Sequence, residues 1–162
     1  MQIEMRGIDK AFGTNQVLKN AGFELRDGEI HALMGENGAG KSTLMKILTG
    51  VYTRDAGTVT VDGQEVVYKS PQEAEKAGIV FIYQELNVLF DLTVEENLFM
   101  GKEITKGFGV CDKKAMRKKA QEVMDKMGVN IPVNAVMSDL SVGQQQMVEI
   151  CKALMVDAKV LI

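Results

Sequence analysis

Residues 35–43, with the sequence GENGAGKST, combine glycines, one lysine and two hydroxyl side chains in a spacing suited to phosphate binding. The stretch satisfies the pattern G-x-x-x-x-G-K-[ST] with Gly35, Gly40, Lys41 and Ser42. Glycines let the backbone curl with its N–H groups pointing inward, which forms a nest for phosphate oxygens at a helix N-terminus. Lys41 would bring its charge to the β- and γ-phosphates, and the Ser42 hydroxyl would ligate Mg²⁺. The pattern therefore predicts a nucleoside-triphosphate site.

The segments on both sides of this turn predict the strand and the helix that such a site needs. Residues 29–34, EIHALM, are a nearly continuous apolar run, which is typical of a strand covered on both faces. Residues 41–50, KSTLMKILTG, carry apolar side chains at helical spacing, and Gly50 is the expected stop. His31, the only histidine, lies on the predicted strand, so we expect a core histidine and not a catalytic one.

The rest of the first half of the chain predicts short strands and one short helix. Residues 57–68 hold two alternating runs around Asp62-Gly63, the strongest short-range signal for a β-hairpin. Ser70-Pro71 predicts a helix N-cap with proline at the first helical position, and Gly78 is the expected stop. Further strands are expected at residues 1–8, 17–25 and 79–84.

From about Thr93 the pattern becomes helical. Thr93 and Glu96 form a capping-box pattern in front of VEENLFM. Residues 112–128 place apolar side chains on one helix face and end on Gly128, and we interpret their basic cluster as the solvated outer face of that helix. A last helix is expected from Val142 onward. The residues expected to point inward from it are Met147, Ile150, Cys151 and Leu154.

Composition favours an ordinary soluble globular domain. The chain has 162 residues, 46% apolar and 25% charged, so one domain that needs no disulfide or metal is expected. A net charge of −3 argues against a nucleic-acid partner. Cys111 and Cys151 lack metal-ligand spacing and fit free thiols in the cytosol. No apolar run approaches the roughly 20 residues that span a bilayer.

The stretch that distinguishes between classes of nucleotide-binding protein begins at Leu140. A GTPase would need an N/T-K-x-D motif, which the sequence lacks, and a small-molecule kinase would normally carry a lid. Residues 140–155, LSVGQQQMVEICKALM, instead resemble the signature of the ATP-binding-cassette (ABC) ATPases, which reads L-S-G-G-Q and is followed by a helix. Four of its five positions match, and Val142 replaces the first glycine of the pair.

This resemblance implies that the signature contacts ATP bound by a facing domain. Ser141 is expected to cap the helix, so that its hydroxyl and the following N–H groups form a second anion-binding helix end. In the family these groups cover the γ-phosphate held by a second such domain, not by their own chain. The signature residues implied are Ser141, Val142, Gly143 and Gln144.

Two further landmarks of the family lie at corresponding places. Phe12, in KAFG, resembles the aromatic residue that stacks on adenine. Gln84, in FIYQE, resembles the Q-loop glutamine that reaches Mg²⁺ and senses the membrane partner. The implied ligands are ATP and Mg²⁺, with Ser42 and Gln84 at the metal. The implied nucleotide-binding residues are Phe12, Gly35, Glu36, Asn37, Gly38, Ala39, Gly40, Lys41, Ser42, Thr43 and Gln84.

The fold implied is α/β: a P-loop NTPase core with a mixed sheet, an antiparallel β subdomain and a helical signature subdomain. About residues 1–87 would form the β-rich core, 88–157 the helical subdomain, and 158–162 the start of the Walker B strand. In the family that strand ends in the Asp that holds magnesium, followed by the catalytic Glu and, later, a switch His. The chain is therefore interpreted as a truncated cassette, expected to bind nucleotide but to hydrolyse it poorly.

Finer resemblance indicates the ribose- and galactose-type sugar importers. Residues 35–52, 83–103 and 140–150 are similar to those ATPases, in which two cassettes stand in tandem and this would be the N-terminal one. One departure is Phe90-Asp91, where the family often has a proline. The resemblance implies an enzyme that couples ATP hydrolysis to sugar import at the cytoplasmic face of the cell membrane.

The partners implied are a second nucleotide-binding domain, permease subunits that contact the Q-loop region and, indirectly, a periplasmic or lipoprotein sugar-binding protein. No nucleic acid is expected among them. The alternative is a soluble ABC-type ATPase that switches a nucleic-acid or ribosome interaction. Those relatives carry long coiled-coil or linker insertions that this sequence does not show.

Overall fold

The computed structural model describes residues 1–106, 109–156 and 158–162, which form two compact units. The first, here called the sheet unit, comprises Met1–Val80 and Lys159–Ile162. The second, the helical unit, comprises Phe81–Ala158. Strands and helices alternate in the first and helices dominate the second, which confirms the α/β class. The division expected near residue 87 stays a prediction.

The sheet unit contains the predicted antiparallel sheet. Its strands are β1 (Ile3–Phe12), β2 (Asn15–Leu25), β3 (Ala56–Val61) and β4 (Gln64–Glu65). They lie in the order β2-β1-β3-β4, and Ile3 of the central strand pairs with Leu25 on one side and Val61 on the other. Ile3, Met5 and Ile8 are buried while the residues between them are more exposed, so the sheet has one apolar face.

The turn between β3 and β4 is the hairpin that its sequence predicts. Asp62 and Gly63 both have positive φ, 49° and 79°, as a type I′ turn requires. The backbone N–H of Gln2 donates to Asp62 Oδ1 at 2.7 Å, which fixes the turn to the start of β1. The second strand of the hairpin has only two residues.

Two helices of the sheet unit follow their sequence signals. Helix α1 spans Lys41–Leu48 and buries its apolar face, and α2 spans Pro71–Lys76. The Ser70 hydroxyl accepts a hydrogen bond from the Glu73 backbone N–H, so Ser70 is the N-cap as predicted. Gly50, just past α1, has a φ of 72°.

A parallel pair completes the sheet unit. Strand β5 (Ile79–Val80) pairs with β6 (Val160–Leu161), with Ile79 opposite Val160. The Ile162 N–H continues the pairing by donating to the Val80 carbonyl at 2.9 Å. The strand expected at the end of the sequence is therefore present, whereas the strand predicted over 79–84 stops after Val80.

The prediction of a buried strand at residues 29–34 is wrong. These residues form neither helix nor strand, and the side chains of Ile30 and Met34 are 100% and 87% exposed. A strand needs backbone partners in a neighbouring strand, and among the described residues β5 pairs with β6 instead. His31 is consequently not in the core: it is exposed, with Nδ1 at 3.2 Å from Glu29 Oε1.

The described residues of the helical unit include three α-helices and a short 3₁₀ turn. They are α3 (Val94–Phe99), α4 (Lys113–Lys126), α5 (Val142–Met155) and a 3₁₀ turn at Met137–Asp139. Their apolar faces share one core. Gly128, with a φ of 65°, follows α4 as predicted. Among the described residues, no helix has both the length and the apolar character that crossing a bilayer requires.

The inward face of α5 differs in part from its prediction. Cys151 is fully buried as expected, and burial raises the pKa of its thiol. Leu154 is 40% exposed, whereas Gln145 and Val148 are buried. The buried positions thus include 145, 148 and 151, while Met147 and Ile150 are half-buried and Met147 packs against the same core as predicted. The polar side chain of Gln145 is the part of this face that an apolar pattern does not predict.

One residue of the basic cluster on α4 is paired with a buried acid. Arg117 donates from Nε and Nη2 to the two oxygens of Glu95 at 2.7 and 2.8 Å, and Glu95 is 7% exposed. This bidentate pair joins α4 to α3. Lys118, in contrast, has an 80% exposed side chain.

The capping box of α3 gives the stability of the helical unit a defined pH dependence. The Thr93 backbone N–H and hydroxyl both donate to Glu96 Oε2, and with the charge of Lys113 they lower the pKa of Glu96. The stabilisation that the lowered pKa provides is complete above the pKa of a glutamate in the unfolded chain, about 4.3. It is lost as the pH falls through the lower pKa that Glu96 has in the folded chain. Because Glu96→Gln keeps the cap without titrating, we expect the thermal midpoint of the unmodified chain to fall relative to Glu96→Gln below about pH 4.3. A constant difference between the two midpoints from about pH 7 to pH 3 would contradict this expectation.

Candidate functional site

The glycine-rich turn leads into the N-terminus of α1. Gly35, Gly38 and Gly40 have φ values of 154°, 85° and 88°, a backbone path that side chains with a Cβ rarely follow. Gly40 is the N-cap of α1, and the described chain offers no side-chain cap there. The first N–H groups of α1 are therefore left for another acceptor, which is the arrangement that binds anions.

Gly40 also sets how closely the turn approaches the sheet. A Cβ at this position would lie 2.6 Å from Leu18 Cδ2 and 3.1 Å from the Val17 carbonyl oxygen, both on β2. A Cβ at Gly38 would meet no atom within 4 Å. The two glycines therefore have different structural roles. Gly40 allows the turn to pack closely on β2, and Gly38 allows the backbone conformation of the turn.

Lys41 lies across the turn. Its Nζ donates to the carbonyl oxygens of Gly35 and Glu36 at 2.6 and 2.8 Å. The ammonium group is thereby held over the loop whose N–H groups would surround a phosphate. Ser42 is exposed at the second position of α1, and Thr43 is half-buried. The remaining turn residues Glu36, Asn37 and Ala39 are exposed.

Phe12 ends β1 in the same unit. Its side chain is 43% exposed, and its ring meets Tyr52 edge to face with centroids 5.1 Å apart. Lys10 Nζ lies 5.4 Å from the Phe12 centroid. The ring is thus an exposed aromatic surface supported from the side by Tyr52.

Gln84 belongs to the helical unit. It is exposed and lies at a bend in an irregular segment. Three residues later, the Asn87 backbone N–H donates to Glu149 Oε1 at 2.6 Å, which attaches this segment to α5. The structure describes Gln84 and the glycine-rich turn in separate units.

The signature lies at the N-terminus of α5. Ser141 is the N-cap: its hydroxyl accepts from the Gln144 N–H, and its own N–H donates to Gln144 Oε1 at 2.9 Å. Val142 is 62% exposed. A Cβ at Gly143 would meet no atom within 4 Å. The capping box thus orders a helix end whose outer surface is open.

Two amides that fix the loops of the helical unit were not identified from the sequence. Asn97, 1% exposed on α3, accepts from the Leu89 N–H and donates to the carbonyls of Leu89, Leu92 and Thr93. Gln145, 6% exposed on α5, donates to the carbonyls that precede the signature. The only sequence signal for either was a polar residue at a helix position between apolar ones.

One oxygen ligand of the kind that Mg²⁺ prefers lies next to the glycine-rich turn. It is the exposed hydroxyl of Ser42, and Mg²⁺ usually adds phosphates and water to such a ligand. Across the described residues there is no cluster of three or more His, Cys, Asp or Glu side chains that could hold a metal ion. A Mg²⁺ ion at Ser42 would therefore take further ligands from nucleotide phosphates and water.

Comparison with known proteins agrees with this geometry. A family model described as ABC transporter matches residues 18–162. The chain belongs to the ABC transporter family. The ribose import ATP-binding protein RbsA of Bacillus licheniformis is 54% identical over 162 residues, which is 100% of this chain and 33% of that protein. The RbsA of Bacillus cereus is 56% identical over 163 residues, with the same shares. The chain thus spans about a third of the length of these curated relatives.

Solved structures of the family have the same fold. A nucleotide-free ATP-binding cassette from an ABC transporter superposes with a TM-score of 0.85 at 28% identity, covering 99% of this chain and 68% of the other. An ATP-binding cassette of an ABC transporter in its ADP conformation gives the same TM-score and identity, covering 99% of this chain and 67% of the other. The predicted P-loop cassette fold is therefore confirmed.

Proposed function

We propose that this chain is part of the ATP-binding subunit of an importer for a simple sugar, with ribose as the first candidate. The observation that carries the proposal is the uncapped N-terminus of α1 behind a glycine-rich turn, with Lys41 held over it. It stands in a chain 53–56% identical to proteins named for ribose import. No feature of the chain favours the alternative of a nucleic-acid or ribosome switch.

In this proposal the turn binds the phosphates of ATP. The backbone N–H groups around Gly38 and Gly40 and the Lys41 ammonium surround the β- and γ-phosphates, and Phe12 presents its ring to adenine. The Ser42 hydroxyl, with Gln84, would hold Mg²⁺, which supplies charge neutralisation on the phosphates when bound. Glu36, Asn37, Ala39 and Thr43 would complete the nucleotide-binding turn, and of these only Thr43 is half-buried.

The signature binds ATP from the other side. Ser141, Val142, Gly143 and Gln144 would cover the γ-phosphate held by a second nucleotide-binding domain, since the end of α5 is ordered by its cap and open on its outer surface. Permease subunits would contact the segment around Gln84, and a sugar-binding protein would act through them. In this proposal the assembly would lie at the cytoplasmic face of the membrane.

Removal of the Phe12 ring tests the proposal that this ring stacks on adenine. We expect Phe12→Ala to weaken Mg-ATP binding roughly tenfold, because base stacking on an aromatic ring contributes about 1–3 kcal/mol. Binding of Mg-tripolyphosphate, which has no base, should be unchanged. Isothermal titration of both ligands measures this, with Phe90→Ala as control because Phe90 is similarly exposed, at 48%. Equal losses for the two ligands would instead indicate that Phe12 acts by packing on Tyr52.

Sugar uptake tests the transport part of the proposal. Cells whose only copy of the gene encodes Lys41→Ala should take up labelled ribose at less than about a tenth of the unmodified rate, since phosphate positioning is lost. Cells with Lys19→Ala, an exposed lysine on β2, should be unaffected. Unchanged ribose uptake with Lys41→Ala would contradict the proposal that phosphate binding at Lys41 drives ribose import.

A further inference from the structure

Three consecutive glutamines follow Val142 and Gly143 near the start of α5, and each has a different environment. Gln144 closes the capping box with Ser141. Gln146 is exposed. Gln145, between them, is 6% exposed and points into the helical unit. The middle residue is therefore placed where a long polar side chain is costly unless its hydrogen bonds are made.

Gln145 makes two hydrogen bonds to the turn that precedes the signature. Its Nε2 donates to the carbonyl of Met137 at 2.9 Å and to that of Leu140 at 3.1 Å. Both protons of the side-chain amide are thus used. Met137 begins the 3₁₀ turn, and Leu140 is the residue immediately before the N-cap Ser141.

These two bonds fix the direction from which the chain enters α5. Leu140 and Ser141 are both extended, with ψ values of 145° and 156°, so the backbone changes direction sharply between the 3₁₀ turn and the helix. The Met137 and Ser138 N–H groups bond to the carbonyls of Leu92 and Phe90, which anchors the outer side of the turn. Gln145 anchors its inner side.

We propose that Gln145 is a positioning residue: it holds the Met137–Leu140 turn so that Ser141 and the N–H groups of Val142 and Gly143 present a fixed anion-binding surface to a facing domain, which a second copy of this chain can supply. This inference rests on the proposed function of the signature. Gln145 does not itself contact nucleotide, because its amide is turned inward to the two carbonyls.

Association of the chain in the presence of Mg-ATP tests this role. We expect sedimentation velocity to show Mg-ATP-dependent self-association of the unmodified chain, about tenfold weaker association for Gln145→Met, and no change for Gln146→Met. Gln145→Met keeps the length of the side chain but has no donor, and Gln146→Met is the matched exposed control. Titrated at protein concentrations at which each chain stays monomeric, Mg-ATP affinity should be the same in all three proteins, because the glycine-rich turn lies in the other unit.

A second variant separates hydrogen bonding from packing. Gln145→Glu places a carboxylate against two carbonyl oxygens, which should weaken association at neutral pH. Its protonated form regains one donor, so association should recover as the pH falls from about 8 to about 5.5, while Gln145→Met shows no recovery relative to the unmodified chain.

Each outcome has a distinct meaning. Equal association of Gln145→Met and the unmodified chain would overturn the role of Gln145 and leave the proposed function intact. A parallel loss of Mg-ATP affinity would mark a general folding role and would also overturn it. Mg-ATP binding without association of the unmodified chain would refute a contact between the signature of one copy and the glycine-rich turn of another, and this inference with it, while the proposed ATP binding would stand. Absence of Mg-ATP binding would contradict the proposed function itself.

Discussion

Replacement of Lys41 by alanine is expected to abolish the stabilisation of this chain by Mg-ATP. A ligand that binds only the folded state at 100 times its dissociation constant stabilises by about 2.7 kcal/mol. For a chain of this size that corresponds to a rise in thermal midpoint of about 5–10 °C. Lys41→Ala removes the one side chain that lies across the glycine-rich turn, so its midpoint should not rise at all.

The loss should arise from binding and not from folding. Without ligand, Lys41 Nζ bonds only to the carbonyls of Gly35 and Glu36 on an exposed loop, so the variant should unfold within about 1 kcal/mol of the unmodified chain. Lys19→Ala provides the control, since it removes an exposed lysine from β2 in the same unit. A rise of equal size in Lys41→Ala and Lys19→Ala would mean that Mg-ATP binds elsewhere.

Features set by neighbouring residues could be predicted from the sequence. The Ser70, Thr93 and Ser141 caps each depend on a side chain and a backbone N–H three residues later. The hairpin at Asp62-Gly63 depends on two residues that tolerate positive φ. The glycine-rich turn is local in the same sense, because glycine spacing and the start of a helix suffice to define it.

Features set by distant residues could not be predicted in the same way. An apolar run such as residues 29–34 favours a strand but does not determine whether a neighbouring strand is available, and here it is unpaired with Ile30 exposed. Gln145 and Asn97 show the opposite case, since their types suggest exposure and their partners are loop carbonyls that only the folded chain brings near. The roles expected for Phe12 and Gln84 came from the resemblance to the ABC ATPases and not from the periodicity of the sequence.

Gly40→Ala should be the most damaging single substitution in the glycine-rich turn. A φ of 88° costs a residue with a Cβ about 1–2 kcal/mol, and the new methyl group would lie 2.6 Å from Leu18 Cδ2 and 3.1 Å from the Val17 carbonyl. Overpacking of this kind adds about 1–3 kcal/mol. We therefore expect urea denaturation to show a loss of about 2–5 kcal/mol in the free energy of unfolding, with weaker Mg-ATP binding because α1 is pushed away from β2.

Gly38→Ala separates the cost of backbone strain from the cost of overpacking against β2. Its φ of 85° is nearly the same, but the added Cβ would meet no atom within 4 Å, so only the backbone cost of about 1–2 kcal/mol applies. The contact with Leu18 can then be tested by a double-mutant cycle: Leu18→Ala makes room for the new methyl group, so Gly40→Ala should cost less in that background than in the unmodified chain. If the losses in unfolding free energy were strictly additive, or equal for Gly38→Ala and Gly40→Ala, close packing of the turn on β2 would not depend on glycine at position 40.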